Sequence, residues 1–469
     1  MARTKLVCTL GPASATPKLV RGLVRAGASV FRLNFSHGAV EDHARMVTLV
    51  REAEVAVGRP LAVLVDLPGP KVRLGRLAPD PFTFKPGLRF DLRPSGDGDA
   101  SGAATTYPGL ANDLRQGDRV LLADGAVELT VTGVDGALVH TECVRGGFAS
   151  GGQGVNVPAE RLSLPAVTER DREGLIRALD LGADFIAQSF VRAPGDVREL
   201  RALMQDRTVP IIAKIETRPA VREVDAILHE ADALMIARGD LGVELPMEEI
   251  PLIQKELVRK ARTAGRPAIV ATQMLESMIQ APRPTRAETT DVANAVLDGA
   301  DAVMLSGETA IGRFPFEAAS AATTIAAHVE SHGADFRAPS PPSRPMSEGA
   351  AVAKAAGSIP FADLKIVAIT CYTETGRTAR LLSAERPGVP VYAFVPPADV
   401  RRTLSLLWGV EALPAEVPAD TDAMIAMMDE GLRAHGLAQP GDAVVMAASS
   451  PAGRTTTNML KIHLVGSAA

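Results

Sequence analysis

The sequence predicts an α/β protein: a (β/α)8 barrel interrupted by a small inserted β-barrel lid and followed by a C-terminal α/β domain. Three observations predict it. Short, almost continuously apolar runs alternate eight times with helical stretches. One long segment breaks that alternation with a two-residue periodicity. A Pro- and Ser-rich stretch, RAPSPPSRP, then separates a further α/β region from what precedes it.

The eight runs are Lys5–Leu10, Ser29–Phe35, Leu61–Leu67, Asp184–Phe190, Pro210–Glu216, Ala233–Arg238, Pro267–Gln273 and Ala302–Ser306. Parallel strands covered on both faces read this way, because neither face meets water. Glycine precedes several of them as a helix stop, as in RAGASV, DLGADF and DGADAV. Eight such units match the TIM-barrel arrangement, whose chemistry sits at the C-terminal ends of the strands. Between the third and fourth runs, FTFKPGLRFDL and DRVLLADGAVELTVTGVDGALVHTECV alternate apolar with polar residues, and GDG, VDG and RGG mark turns. That insertion follows a strand end, so it is expected over the active face as a lid. The expected domains are 1–70 and 165–336 for the barrel, 71–164 for the lid and 346–469 for the C-terminal α/β domain.

A chain of 469 residues is long enough for two or three domains, and 46% hydrophobic residues can fill their cores. A net charge of −5 gives no electrostatic case for nucleic-acid binding. Cys8, Cys143 and Cys371 are far apart and odd in number, which excludes a disulfide framework and a Cys-type zinc site. No apolar run approaches the roughly 20 residues a membrane helix needs. The basic start MARTKLVCTL lacks the apolar core of a signal peptide, and a reducing cytoplasm is the expected compartment.

Polar residues gather where the apolar runs end: Arg32, Asn34 and Ser36; Asp66; Ser189; Lys214 and Glu216; Asp240; Thr272 and Gln273; Ser306 and Glu308. One aspartate after a strand is more often a helix cap. The set together is not explained by capping. Lys214 and Glu216 are two apart, so both face the same side of their strand. Charges facing a barrel lumen are costly unless paired or coordinated, and mutual pairing is the simpler reading. With Asp240 on the next strand, two carboxylates can instead share one Mg2+ or Mn2+, which keeps waters and takes substrate oxygens. A lysine beside that ion suits phosphoryl transfer, where charge builds on equatorial oxygens. The glycines of ARGDLGVELP let backbone N–H groups approach a ligand carboxylate, although a tight loop with no ligand reads the same.

These segments resemble a known family. TKLVCTLGPAS, FRLNFSHG, VDLPGPKVRLG, IIAKIE, ARGDLGVE, ATQMLESM and DAVMLSGETAIGRFP are similar, in order, to the motifs of pyruvate kinase, and the resemblance covers nearly the whole chain. It implies transfer of the phosphoryl group of phosphoenolpyruvate to ADP, giving pyruvate and ATP. It implies Glu216 and Asp240 as divalent-metal ligands and Lys214 as the lysine beside the transferring phosphoryl group. Thr272 resembles the threonine near the enolate, with a water relay through Ser306 and Glu308 as a route for its proton. Gly239 and Asp240 are expected to hold the substrate carboxylate through backbone N–H groups. Arg32 and Arg73 resemble phosphate-contacting arginines, and Asn34, His37 and Arg73 nucleotide-side contacts. A homotetramer is implied in the same way.

The departures from the family pattern matter as well. Relatives typically read D-T-K-G-P-E where this chain reads DLPGPK, so a glutamate has become Lys71 and Leu67 also differs. The monovalent-cation site implied by the resemblance uses Asn34, Ser36, Asp66 and a backbone carbonyl. An ammonium at Lys71 reverses the charge beside it, which predicts an enzyme that does not require K+. In the lid, Gln153 replaces a basic residue, and only Asp124 remains of an acidic pair. In the C-terminal domain, Thr373, Glu374, Thr375, Gly376, Arg377 and Thr378 lead into a helix and resemble a loop that binds a phosphorylated allosteric effector. Arg454 is expected to add charge opposite that loop. A metal-dependent lyase or aldolase is the rival reading, and it leaves the insertion, Lys214 and the TETGRT segment unexplained.

Overall fold

A computed structural model describes residues 2–332, 347–362, 364–450 and 456–467. The Pro-rich linker, the expected barrel end at residue 336 and Arg454 lie outside those residues.

The eight apolar runs form one closed parallel barrel. Its strands are Lys5–Thr9, Ala28–Asn34, Ala62–Asp66, Phe185–Gln188, Ile211–Ile215, Ala233–Ala237, Ala268–Ala271 and Ala302–Leu305, and the last pairs with the first. Side chains alternate between two cores. Val7, Val30, Leu64, Ile212, Met235, Ile269 and Met304 fill the lumen. Their neighbours Cys8, Phe31, Val65, Ile211, Ala213, Ile215 and Val270 pack outward under the helices. The helices are cut by local chemistry. Thr168 accepts from the N–H of Asp171 and Asp171 answers to the Thr168 N–H, a reciprocal cap that starts helix Glu169–Asp180. Thr285 and Glu288 start helix Arg286–Leu297 in the same way.

The insertion carries a six-stranded sheet, in the order Val155–Asn156, Arg119–Leu122, Val127–Asp135, Leu138–Arg145, Arg89–Arg93 and Gly102–Ala104, beside a two-stranded ribbon of Gly147–Ala149 and Phe82–Phe84. Strand Arg89–Arg93 pairs antiparallel to Leu138–Arg145 on one side but parallel to Gly102–Ala104 on the other. The segment 72–75 joins the two ends of that sheet: the Gly75 N–H donates to the Ala104 carbonyl and the Thr106 N–H to that of Arg73, while the Leu74 N–H donates to the Gln153 carbonyl and the Val155 N–H to that of Val72, so the ladder closes as the sequence predicts. The insertion has its own core, with Phe82, Phe84 and Phe90 in mutual edge and tilted contact.

The C-terminal region is a five-stranded sheet, parallel except for its last strand, Met459–Leu464. It grips the floor of the barrel. Leu406 is fully buried in the lumen cluster. Ser29 Oγ donates to the Ser405 carbonyl and Ser405 Oγ to that of Pro60. Arg386 pairs with Asp301 at 3.0 Å and stacks over Trp408, whose other contacts include Arg3.

Candidate active site

The strand ends converge on a chain of buried charges. Lys214 continues the lumen-facing row of Ile212, and Glu216 follows two residues on, so their strand carries both into the mouth. Lys214 Nζ lies 3.0 Å from Glu216 Oε1, 3.3 Å from Asp66 Oδ1 and 2.7 Å from Ser189 Oγ. Asp66 Oδ2 receives Arg32 Nε at 2.7 Å, and Arg32 Nη1 reaches Thr9 Oγ1 at 3.2 Å. The other oxygen of Glu216 accepts the Phe190 N–H at 2.7 Å. Asp66 and Glu216 are each only 1% exposed. Charges so far from water persist because each has a partner of opposite sign. The mutual pairing of Lys214 and Glu216 is therefore present, within a larger network.

Electrostatics sort the two carboxylates. Burial pushes Asp66 up, but Lys214 and Arg32 outweigh it and hold the group below its ordinary range. Burial works against the Lys214 ammonium, and Asp66 and Glu216 more than offset it, so Lys214 stays charged. For Glu216 burial dominates, Lys214 opposes it and Asp240 adds to it; the net shift is upward. Asp240 thus lies close enough to Glu216 for the two carboxylates to repel each other. Two hard oxygen donors in that condition fit one small divalent cation, which takes its other ligands from water and substrate.

Lys71 supplies a cation at the same place. Its Nζ lies 2.9 Å from Asp240 Oδ1, with both side chains about a quarter exposed at 23% and 24%. Asp66, which the sequence groups with Lys71, Asn34 and Ser36, has Arg32 and Lys214 as its cations, and the Lys71 ammonium pairs with Asp240. Asn34 Oδ1 accepts the Ser36 N–H at 3.1 Å, and Leu67 is buried with its carbonyl accepting from Ser189 Oγ. His37 is exposed at the rim. Arg73 stands apart from the charge network and donates to the Gly152 carbonyl in the insertion.

Thr272 and Gly239 meet beside Asp240, at the ends of the adjacent strands Ala268–Ala271 and Ala233–Ala237. The Gly239 N–H donates to Thr272 Oγ1 at 2.7 Å, so the amide expected for a substrate carboxylate is engaged by the threonine here. Glu308, on the expected route with Ser306, is fully buried, and its two oxygens accept the N–H groups of Leu275 and Ser306. In the C-terminal sheet, Thr373 and Glu374 follow strand Ile366–Tyr372, and Tyr372 donates to Glu374 at 3.2 Å. Thr375 is exposed, and Gly376 turns at φ 76° where a Cβ would strike Leu404 at 2.8 Å. Helix Arg377–Ala384 follows, and the hydroxyls of Thr378 and Thr457 bond at 2.7 Å. Phe190, Arg238 and Asp291 have site contacts that the sequence does not single out, although Phe190 and Arg238 end two of its strand runs. Arg238 and Asp291 are ordinary in the string and meet across 53 positions.

The family model for the pyruvate kinase barrel domain matches residues 1–319, and that for the pyruvate kinase alpha/beta domain matches 350–463. The pyruvate kinase of Mycobacterium intracellulare is 43% identical over 99% of this chain and 98% of its own length. That of Geobacillus stearothermophilus is 41% identical over 99% of this chain and 80% of its own. A crystal structure of a pyruvate kinase from Cryptosporidium parvum superposes with a TM-score of 0.91 at 33% identity, covering 99% of this chain and 96% of that one.

Proposed function

Since the chain belongs to the pyruvate kinase family, whose members take phosphoenolpyruvate and ADP to pyruvate and ATP with a divalent metal, we propose how its own residues divide that work. Glu216 and Asp240 hold Mg2+ or Mn2+. When bound, the ion neutralises charge on the phosphoryl and enolate oxygens. Lys214 stabilises the phosphoryl group in transit, Arg32 holds its oxygens, and the Gly239 and Asp240 amides orient the carboxylate. Thr272 stands at the face where the enolate carbon takes its proton. Asn34, His37 and Arg73 serve the nucleotide side once the insertion, residues 71–164, closes over the mouth. The observation that carries this reading is the Lys214 ammonium held between Glu216 and Asp66 at 3.0 and 3.3 Å, with the Asp240 carboxylate close enough to push Glu216 upward.

K+ is not required in this reading. Asp66, the carboxylate a potassium ion would share with Asn34 and Ser36, is already matched by Arg32 and Lys214. Lys71 brings a fixed ammonium to the mouth. The Thr373–Thr378 loop takes a phosphorylated allosteric effector, the enzyme works as a cytoplasmic homotetramer, and the C-terminal domain from residue 346 regulates it. No helix among the described residues is long and apolar enough to cross a membrane.

A steady-state assay with phosphoenolpyruvate and ADP at fixed Mg2+, in potassium and in tetramethylammonium salts of matched ionic strength, tests the central part. ADP-dependent pyruvate formation at similar rates in both salts is expected. Potassium activation of tenfold or more would overturn the role given to Lys71.

A further inference from the structure

The loop after the seventh barrel strand turns at an unusual residue. Thr272 has φ 69° and Gln273 φ 54°. A β-branched side chain in the left-handed region costs on the order of 1–3 kcal/mol and persists only where its surroundings hold it there. What holds it is the guanidinium of Arg238. Arg238 lies at the start of helix Arg238–Glu244, and its side chain is 13% exposed. It forks onto Asp291, with Nη1 at 2.6 Å from Oδ1 and Nη2 at 2.7 Å from Oδ2. The same Nη2 donates to the Thr272 carbonyl at 2.7 Å, and Nε reaches the Ala271 carbonyl at 3.4 Å. With its carbonyl pinned, Thr272 directs its hydroxyl at the site, where it donates to the Ala271 carbonyl at 2.6 Å and accepts the Gly239 N–H at 2.7 Å. The Asp291–Arg238 fork is a bidentate ion pair, the geometry that fixes a guanidinium most firmly.

We propose that Arg238, oriented by Asp291, is a positioning residue for the Thr272 hydroxyl, and that it acts on delivery of the proton to the enolate rather than on phosphoryl transfer. This rests on the assignment of Thr272 to that proton. When the P–O bond of phosphoenolpyruvate has broken and the phosphorus is bonded to the ADP oxygen, the enolate electron pair takes one proton at the methylene carbon and the carbonyl forms. Arg238 gives up no proton in that step. It fixes the backbone from which the hydroxyl projects. A displacement of about 1 Å at such a group slows a step by about 100-fold.

The proton step is read alone by exchange of the pyruvate methyl hydrogens with D2O, followed by NMR with the full-length enzyme, Mg2+ and ATP. The variants are Arg238→Met, Arg238→Lys, Thr272→Ala and the double variant Arg238→Met/Thr272→Ala. Arg238→Met is expected to slow exchange at least tenfold in the Thr272 background and less than twofold in the Thr272→Ala background, with the KM for phosphoenolpyruvate within threefold and partial recovery in Arg238→Lys. A residue that only buttresses the fold lowers exchange by the same factor in both backgrounds, and that result overturns the inference. If Arg238→Met does not fold, the same cycle is read with Asp291→Asn, where equal factors again overturn it. If Thr272→Ala by itself keeps full exchange, the assignment of Thr272 has failed, and the inference falls with it.

Discussion

Replacing Lys71 by methionine is expected to tighten divalent-metal binding to the substrate-free enzyme. The ammonium and Asp240 Oδ1 are 2.9 Å apart, so a cation arriving at Asp240 must displace it. The gross attraction at that distance runs from about 1.4 kcal/mol in bulk water to about 6 kcal/mol at an effective dielectric of 20. Both side chains are about a quarter exposed, at 23% and 24%. Solvent and the ordering of a long lysine therefore reduce the net value to about 1 kcal/mol. Losing that competitor lowers the metal Kd by about fivefold. Methionine preserves the apolar stem, whose Cε passes close to Gly154, and gives up the ammonium's place 5.8 Å from the centre of the Phe190 ring. The assay is a titration with Mn2+ in which free ion is read by its paramagnetic resonance signal at constant ionic strength. Lys71→Arg, which keeps the charge, serves as the control and should bind Mn2+ as the parent does. An unchanged or weaker affinity in Lys71→Met would refute the idea that the lysine and the metal compete for one carboxylate.

Two further outcomes follow from the buried charges. Lys214→Met should lower kcat at least 1000-fold, equivalent to about 4 kcal/mol of lost transition-state stabilisation. It also leaves Asp66 and Glu216 short of a cation, so unfolding in urea should show a loss of about 3–5 kcal/mol; more than a tenth of the activity remaining would sink the role given to the ammonium. Glu244 lines a small cavity with Lys71, Asn156 and Phe190 at the hinge of the insertion. Burial first, and then Glu160, push its carboxyl up to about 7 from 4.5. The folded state therefore keeps the proton that the unfolded chain has lost, so this contribution to stability is full below pH 4.5 and disappears as pH rises through 7. Glu244→Gln should remove that slope and gain about 1–2 kcal/mol at pH 8 relative to the parent, after allowance for partial solvation; identical pH dependence in thermal melts of the two proteins would contradict it.

The barrel was readable because its strands are covered on both faces. Sequences such as IIAKIE and ALMIA have no polar face to confuse with a loop. Lys214 and Glu216 were readable for a related reason: a period of two in an otherwise apolar strand leaves a charged pair nowhere to point but the lumen. The partners were not readable. Lys71 and Asp240 are 169 positions apart, and only the three-dimensional charge balance sends the ammonium to Asp240 rather than Asp66. Glu308 looks like a strand-end acid in the string. Whether it moves protons or caps backbone amides depends on the Leu275 N–H, which a different loop supplies. The conformation of Thr272 is illegible in principle, since no local preference places threonine at φ 69°. The lid's alternation was clear, but the segment 72–75 that closes its sheet was not, because it pairs through single bridges rather than a regular strand.

Leu406 gives the molecule an unusual dependence. The leucine that seals the lower lumen belongs to the C-terminal region, while the side chains around it, Val7, Val30 and Met304 among them, come from the barrel. Its burial is worth about 2 kcal/mol, but its position matters more than its size. A barrel cut free of the C-terminal region would lose this leucine from the cluster that fills its lumen, beneath the strands that carry Arg32, Lys214 and Thr272. The piece that reads as a separate module is therefore also part of the barrel's own core.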